Sequence, residues 1–118
     1  MLQAVVGSRN AERVLLFIMA RGEGYATEIA RVFETDLSPV QKQLERMHKK
    51  NLLIKKKSGK AMLYQFNPRY ELFLEVTQLL ERALSLQNEA FKQKLMFKDL
   101  KIQKQLRPLR PPVNIQID

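Results

Sequence analysis

Residues 26–66 read ATEIARVFETDLSPVQKQLERMHKKNLLIKKKSGKAMLYQF, and this stretch contains the most informative local signals of the chain. Apolar residues at helical spacing predict a short helix over residues 26–33. The polar residues 34–36 interrupt that pattern. A second amphipathic segment then continues to about Lys50, so the stretch predicts two helices joined by a tight turn.

The second of these helices, the third of the chain, has one clearly apolar side. Its inner face is predicted to consist of Val40, Leu44 and Met47. Asp36 and Ser38 can each cap its amino end, and the sequence leaves the choice between them open. The residue that follows the helix, Asn51, suits the left-handed conformation in which many helices end.

The segment after this helix predicts a β-hairpin with a lysine-rich tip. Residues 52–57 are typical of one strand, Ser58-Gly59 of a turn, and residues 61–66 of the returning strand. We expect Met62 and Tyr64 to lie in the core of this hairpin.

A longer helix is predicted on each side of this region. Ser8 is a suitable N-cap for a first helix over residues 9–20, which is apolar on two sides and is therefore expected to pack on its own core and on a partner subunit. Asn67-Pro68 predicts the start of a fourth helix over residues 69–87. The apolar stripe of that helix repeats near every 3.5 residues, which favours core or dimer packing over the wall of a ligand pocket. The stripe comprises Leu72, Phe73, Val76, Leu79, Leu80, Ala83 and Leu84.

The sequence changes character after residue 87, so we predict a domain over residues 1–87 and a basic extension over residues 88–118. A helix can continue to about residue 99. The proline-rich run at 107–112 cannot be helical, and residues 113–117 resemble a strand. A disordered tail, an arm along DNA and a strand docked on a partner all remain open for this extension.

The order of elements defines the expected fold class. A helix, a short helix, a third helix, a hairpin and a long helix predict a mainly α protein with a small β-hairpin. The two helices joined by a turn form a helix-turn-helix, and the hairpin after them forms its wing. The prediction is therefore a winged helix-turn-helix with an added long C-terminal helix.

The positive charge of the chain is concentrated in the same region. The net charge is +9, and residues 38–60 hold eight Lys or Arg against one Glu. Such a local field attracts polyanions, of which DNA is the most common in a cytoplasm. A solvated lysine-rich surface that only aids solubility is the alternative explanation.

With its apolar side turned inward, the third helix offers a polar side that a DNA major groove can admit. The outward and flanking positions are Ser38, Gln41, Lys42, Glu45, Arg46 and Lys49. Glutamine can read adenine, lysine and arginine can read guanine, and Glu45 can either accept from cytosine or pair with Lys42 or Lys49. Contacts to the DNA backbone are predicted at Lys55, Lys56, Lys57, Ser58 and Lys60 of the hairpin and at Thr27 of the second helix.

Several function classes are excluded or disfavoured by composition. The chain has no cysteine, which excludes disulfides and thiolate chemistry, and its single histidine, His48, is interpreted as an ordinary surface residue. No nucleophile with a base, no phosphate-binding glycine loop and no metal-ligand cluster occurs, so we predict no enzyme, no metal and no cofactor. The start of the chain lacks the features of a signal peptide, and no run is long and apolar enough to span a membrane, so a cytoplasmic protein is expected.

Several short motifs resemble a known family. They are Gly7-Ser8-Arg9, YATEIA at 25–30, VQKQLERM at 40–47, NLL at 51–53, SGK at 58–60, YQFN at 64–67 and LFLE at 72–75. Together they resemble a prokaryotic winged helix-turn-helix of the broad ArsR-like kind, closest to the type associated with minimal nucleotidyltransferases, and the resemblance covers residues 7–85.

Together, the residues and the resemblance predict a dimeric, sequence-specific DNA-binding regulator, in the first instance a repressor, in which the first and fourth helices and part of the extension supply the contact between subunits. Ser38, Gln41 and Lys42 match positions that contact bases in relatives, and residues 57–60 match a segment that contacts the minor groove or backbone. The cysteine and histidine ligands of metal-sensing relatives are missing, so metal sensing is not implied, and no small-molecule effector is evident.

A different class of function competes with this one. Winged helices also serve as docking modules, so fold alone does not determine function. The alternative is a protein- or RNA-interaction adaptor that works with a nucleotidyltransferase-like partner.

Overall fold

A computed structural model describes residues 1–97, and the extension beyond residue 97 lies outside the described part, including the proline-rich run at 107–112 and the strand-like residues 113–117. The elements are α1 (Gln3–Val6), α2 (Arg9–Arg21), β1 (Gly24–Tyr25), α3 (Ala26–Val32), α4 (Leu37–Lys49), β2 (Leu53–Ser58), β3 (Ala61–Phe66), α5 (Phe73–Ser85) and α6 (Glu89–Phe97). The three strands form one antiparallel sheet in the order β1-β3-β2. The prediction of a mainly helical chain with a small hairpin is therefore confirmed.

Helix α2 forms the centre of the core. Ser8 caps it as predicted, because its hydroxyl oxygen accepts a hydrogen bond of 3.0 Å from the backbone N–H of Ala11. Both of its apolar sides are covered within the chain, by α4 and α5 among others. Its buried residues are Ala11, Val14, Leu15, Leu16, Phe17 and Ile18. A partner subunit is therefore not needed to cover the second side, contrary to expectation.

Helices α3 and α4 follow the predicted apolar pattern. Val40, Leu44 and Met47 are buried on the inner side of α4. The N-cap of α4 is Asp36, whose backbone is extended, whereas Ser38 already lies inside the first helical turn. Of the two starts that the sequence allowed, the one at Asp36 is observed, although the Asp36 side chain makes no capping hydrogen bond. Asn51 has a φ of 69°, so the predicted left-handed residue after the helix is confirmed.

The hairpin turn lies one residue later than predicted. Ser58 pairs with Ala61 across the two strands, which leaves Gly59 and Lys60 as the loop. Gly59 has a φ of +65°, which glycine adopts without steric cost. The prediction that Met62 lies in the core is wrong, since its side chain is 41% exposed beside the tip, but Tyr64 is buried as expected.

Helix α5 begins at Phe73, four residues later than predicted. Asn67 does not cap it. Instead, the Asn67 side chain accepts from the backbone N–H of Arg69 at 3.0 Å and donates to the carbonyl of Asn51 at 2.9 Å. These two bonds hold the chain in turns where it leaves the hairpin, and the helix starts only after them.

The described part of the predicted extension shares the core of the preceding residues. Leu95 of α6 is fully buried, and the Arg21 guanidinium donates a hydrogen bond to its carbonyl. The Phe91 ring lies 6.0 Å from the Phe33 ring. Residues 89–97, which the sequence placed beyond the domain boundary, thus pack on the same core as α2.

Substituting Gly24 by alanine is expected to destabilise the fold by about 1–3 kcal/mol, the usual cost of overpacking a core. A methyl group there would lie 2.9 Å from Cε1 of Phe17 and 3.2 Å from Cδ1 of Ile29, both side chains being fully buried. Urea denaturation measures the change. Glu23→Ala, at the exposed neighbouring position, is the control and should change stability by less than about 0.5 kcal/mol. Equal stabilities of the two variants would contradict this packing.

Candidate nucleic-acid interface

The outer face of α4 is a continuous polar surface. Because Val40, Leu44 and Met47 turn inward, the opposite side of the helix borders a shallow depression. The residues that line it are Ser38, Gln41, Lys42, Glu45, Arg46 and Lys49, and we call this set the α4 outer face. All six were singled out from the sequence, so the local geometry of this prediction is confirmed.

The hairpin presents two chemically different faces, since side chains alternate along each strand. Residues paired across antiparallel strands share a face, and the register pairs Lys55 with Tyr64 and Lys57 with Met62. Leu53 also belongs to this face and is buried in the core. We call this the inner face of the hairpin. Lys56 and Ser58 belong to its outer face.

Glu45 joins α4 to the inner face of the hairpin. Its Oε2 atom accepts a hydrogen bond of 2.8 Å from Nζ of Lys55 and one of 2.5 Å from the hydroxyl of Tyr64. The sequence had suggested that the Glu45 carboxylate pairs with Lys42 or Lys49, but it pairs with the hairpin instead. This contact places the α4 outer face and the inner face of the hairpin side by side.

The two acidic groups of this contact affect each other in opposite directions. Hydrogen bonds from Lys55 and then from Tyr64 lower the pKa of Glu45 below its ordinary value. Burial, followed by the hydrogen bond to the Glu45 carboxylate, raises the pKa of the Tyr64 hydroxyl. Near neutral pH, Glu45 is thus a carboxylate and Tyr64 is a protonated donor, which is the combination that the contact requires.

The outer face of the hairpin has contacts of its own with β1 and the residue before it. The hydroxyl of Tyr25 donates to Oγ of Ser58 at 3.1 Å, and the side-chain amide of Gln65 donates to Oε1 of Glu23 at 3.2 Å. Ser58 and Lys56 are therefore directed away from the side that adjoins α4. The sequence grouped Lys56 and Lys57 as equivalent contacts, but the strand geometry separates them.

The remaining predicted residues occupy other positions. Lys60 is exposed in the hairpin loop, and Thr27 is exposed in the first turn of α3, outside the depression on α4. Arg46 is exposed and donates two hydrogen bonds, of 3.1 and 2.9 Å, to Oε1 of Gln43 one turn earlier. Sequence reasoning missed Tyr25 and assigned Tyr64 only to the core. The alternation of side chains along β3 indicated which residues share a face with Tyr64, but its pairing with Lys55 depends on the observed loop at residues 59 and 60.

Within residues 1–97, no group of three or more His, Cys, Asp or Glu side chains is arranged to hold a metal ion. Over the same residues, no helix combines the length and the apolar character needed to cross a membrane. Comparison of the chain with protein-family models, curated proteins and solved structures found no match.

Proposed function

We propose that this protein binds double-stranded DNA in a sequence-specific manner through a winged helix-turn-helix and acts as a dimeric transcriptional repressor. In this proposal α3 and α4 form the helix-turn-helix and β2–β3 forms the wing. The observation that carries it is the placement of the exposed α4 outer face directly beside the lysine-bearing inner face of the hairpin, through Glu45.

The dimensions and chemistry of α4 suit a major groove. A helix of 13 residues is about 20 Å long, and the groove is roughly 12 Å wide and admits one helix. Gln41 and Lys42 lie on the exposed side of the helix. An amide can form two hydrogen bonds to adenine, and an ammonium can donate to guanine. Ser38, Arg46 and Lys49 extend the same surface.

The hairpin supplies positive charge beside that helix. Lys57 lies on the inner face of the hairpin, and Lys60 lies in its loop. Lysine contacts to phosphates hold a protein in register on DNA without selecting a sequence. Base reading is thus assigned to α4, and positioning to the hairpin.

A second copy of the chain is the proposed partner. Leu79 in α5 and the two cap residues of this helix, Leu72 and Leu86, recur every seven residues and are 42%, 52% and 52% exposed, respectively. A stripe with this spacing is typical of helix pairing. The buried side of α5, which includes Leu80 and Ala83, already packs on the core, so the exposed leucines are free to contact a second subunit.

Fluorescence anisotropy with duplexes selected from a random pool tests the proposed function. We expect one sequence motif to emerge and its affinity to fall with salt with a slope of about −0.9 per phosphate contacted. Failure of the selection to enrich any motif would overturn sequence-specific binding. If no duplex bound at all, the adaptor function would become the better explanation.

Lysines on the two faces of the hairpin are expected to contribute unequally to DNA binding. Lys57→Ala should weaken binding to any duplex and reduce the salt slope by about 0.9, the amount expected for one lost phosphate contact. Lys56→Ala removes the same charge from the outer face of the hairpin and should have a smaller effect on both quantities. Salt titrations of the two variants give the comparison. If Lys56→Ala lowered the affinity as much as Lys57→Ala or more, the assignment of the DNA contact to the inner face of the hairpin would be contradicted.

A further inference from the structure

One carboxylate oxygen connects three elements of the fold. Oε2 of Glu45, in the middle of α4, accepts from Lys55 on β2 and from Tyr64 on β3. Lys55 and Tyr64 are direct cross-strand partners. Glu45 is therefore tied to both strands of the hairpin at a single position of its ladder.

This contact opposes a direct role of Glu45 in base reading, because both hydrogen bonds hold the carboxylate through Oε2 on the side of the hairpin. Turning the whole carboxylate toward a cytosine amino group would break the hydrogen bonds from Lys55 and Tyr64, and with them in place only Oε1 could approach a base, from a fixed position. Tyr64 is only 5% exposed, so losing Glu45 would leave its hydroxyl with little access to water. The contact satisfies the buried Tyr64 hydroxyl and pairs the charges of Glu45 and Lys55, so we expect it to persist when DNA binds.

We propose that Glu45 is a positioning residue, which fixes the hairpin relative to α4 so that both meet one DNA surface, and that it does not read bases. The DNA part of this inference rests on the proposed function. Because the three residues are joined by hydrogen bonds of 2.8 and 2.5 Å, the angle between helix and hairpin is set before DNA arrives. Such preorganisation reduces the entropy lost on binding.

For removal of Glu45, the positioning role and simple electrostatics predict opposite changes in the affinity for DNA. Glu45 is a negative charge among Lys42, Arg46 and Lys49. If charge alone mattered, removing it would strengthen binding to DNA. If Glu45 positions the hairpin, removing it weakens binding.

The DNA experiment measures affinity and base preference for Glu45→Ala, Tyr64→Phe and the double variant. We expect each single variant to weaken binding by about 3- to 30-fold, and the double variant to bind no more weakly than Glu45→Ala alone, because Tyr64 acts through Glu45. The preference at every base position should be unchanged. Glu81→Ala removes an equal charge from the exposed surface of α5 and should leave affinity within about twofold. Tighter binding of Glu45→Ala, or loss of a preference for cytosine, would overturn the inference.

A second measurement on the full chain without DNA separates this inference from the proposed function. Nitrogen-15 relaxation should show increased motion of residues 55–64 in Glu45→Ala and Tyr64→Phe, with α2 and α5 unchanged. An equally rigid hairpin in both variants would overturn the positioning role even if the protein binds DNA. If the wild-type chain bound no DNA while the variants loosened the hairpin, the proposed function would fail and the coupling of helix to hairpin would stand.

Discussion

Replacing Gln41 and Lys42 together by alanine is expected to abolish the preference of the protein for its selected sequence while leaving weak binding to all duplex DNA. Both side chains lie on the exposed α4 outer face. A well-formed pair of hydrogen bonds to one base discriminates by about 1–3 kcal/mol. Losing two such contacts in each of two half-sites removes at least about 4 kcal/mol of discrimination and should therefore reduce the specificity ratio by at least about 1,000-fold.

Anisotropy with the selected duplex and with a scrambled duplex of equal length measures that ratio. Lys94→Ala removes the same positive charge from α6 and should lower both affinities slightly without changing their ratio. Urea denaturation of the double variant should match that of the wild type, because the substituted side chains are exposed. A specificity ratio that survives the double substitution would show that α4 does not read the sequence.

The second large effect is expected at the proposed subunit contact. Leu79→Glu should convert the dimer to a monomer, since it places a charge in the middle of the exposed Leu72, Leu79 and Leu86 stripe. Two linked DNA-binding units bind about 10²- to 10⁴-fold more tightly than one. Loss of the dimer should therefore lower the affinity for a site with two half-sites by about that factor. Light scattering and anisotropy measure the two changes. Binding to a single half-site should be unaffected.

Leu74→Glu is the matched control for this substitution. Leu74 is more exposed than Leu79, at 64% against 42%, and lies about 140° away around α5 by the 100° step of an α-helix. The control should stay dimeric. If Leu74→Glu dissociated the dimer and Leu79→Glu did not, the contact would lie on the other side of the helix.

The charges beside the leucines favour one orientation of the two helices in the proposed dimer. Glu75 and Arg82 lie on the same side of α5 as Leu79, four residues before it and three after it. In an antiparallel pair centred on Leu79, Glu75 faces the partner's Arg82, whereas a parallel pair would place like charges together. The chain has no cysteine, so a Leu72→Cys variant distinguishes the two orientations: under mild oxidation a parallel pair would form an intersubunit disulfide at this position, whereas an antiparallel pair, which places residue 72 opposite residue 86 of the partner subunit, would not. Formation of that cross-link in a dimeric variant would contradict the antiparallel pair.

Local sequence signals were sufficient for the elements whose formation depends on near neighbours. The Ser8 cap, the buried face of α4 and the left-handed Asn51 are all confirmed, because capping and helical periodicity act over a few residues. The same signals misplaced the start of α5, where Asn67 bonds to Asn51, sixteen residues earlier, instead of capping the helix. Strand β1 was missed because two residues are too few to show alternation.

The candidate site divides in the same way. The spacing of Val40, Leu44 and Met47 was enough to predict which side of α4 is exposed, since a helix turns 100° per residue whatever surrounds it. Nothing within α4 indicates that Glu45 meets Lys55 and Tyr64, because that contact joins residues 10 and 19 positions apart and exists only once the strands are paired and packed on the helix. The separation of Lys56 from Lys57 follows from the same pairing. The sequence alone thus shows which chemical groups α4 exposes, whereas the packing of the helix and strands determines which residues those groups contact.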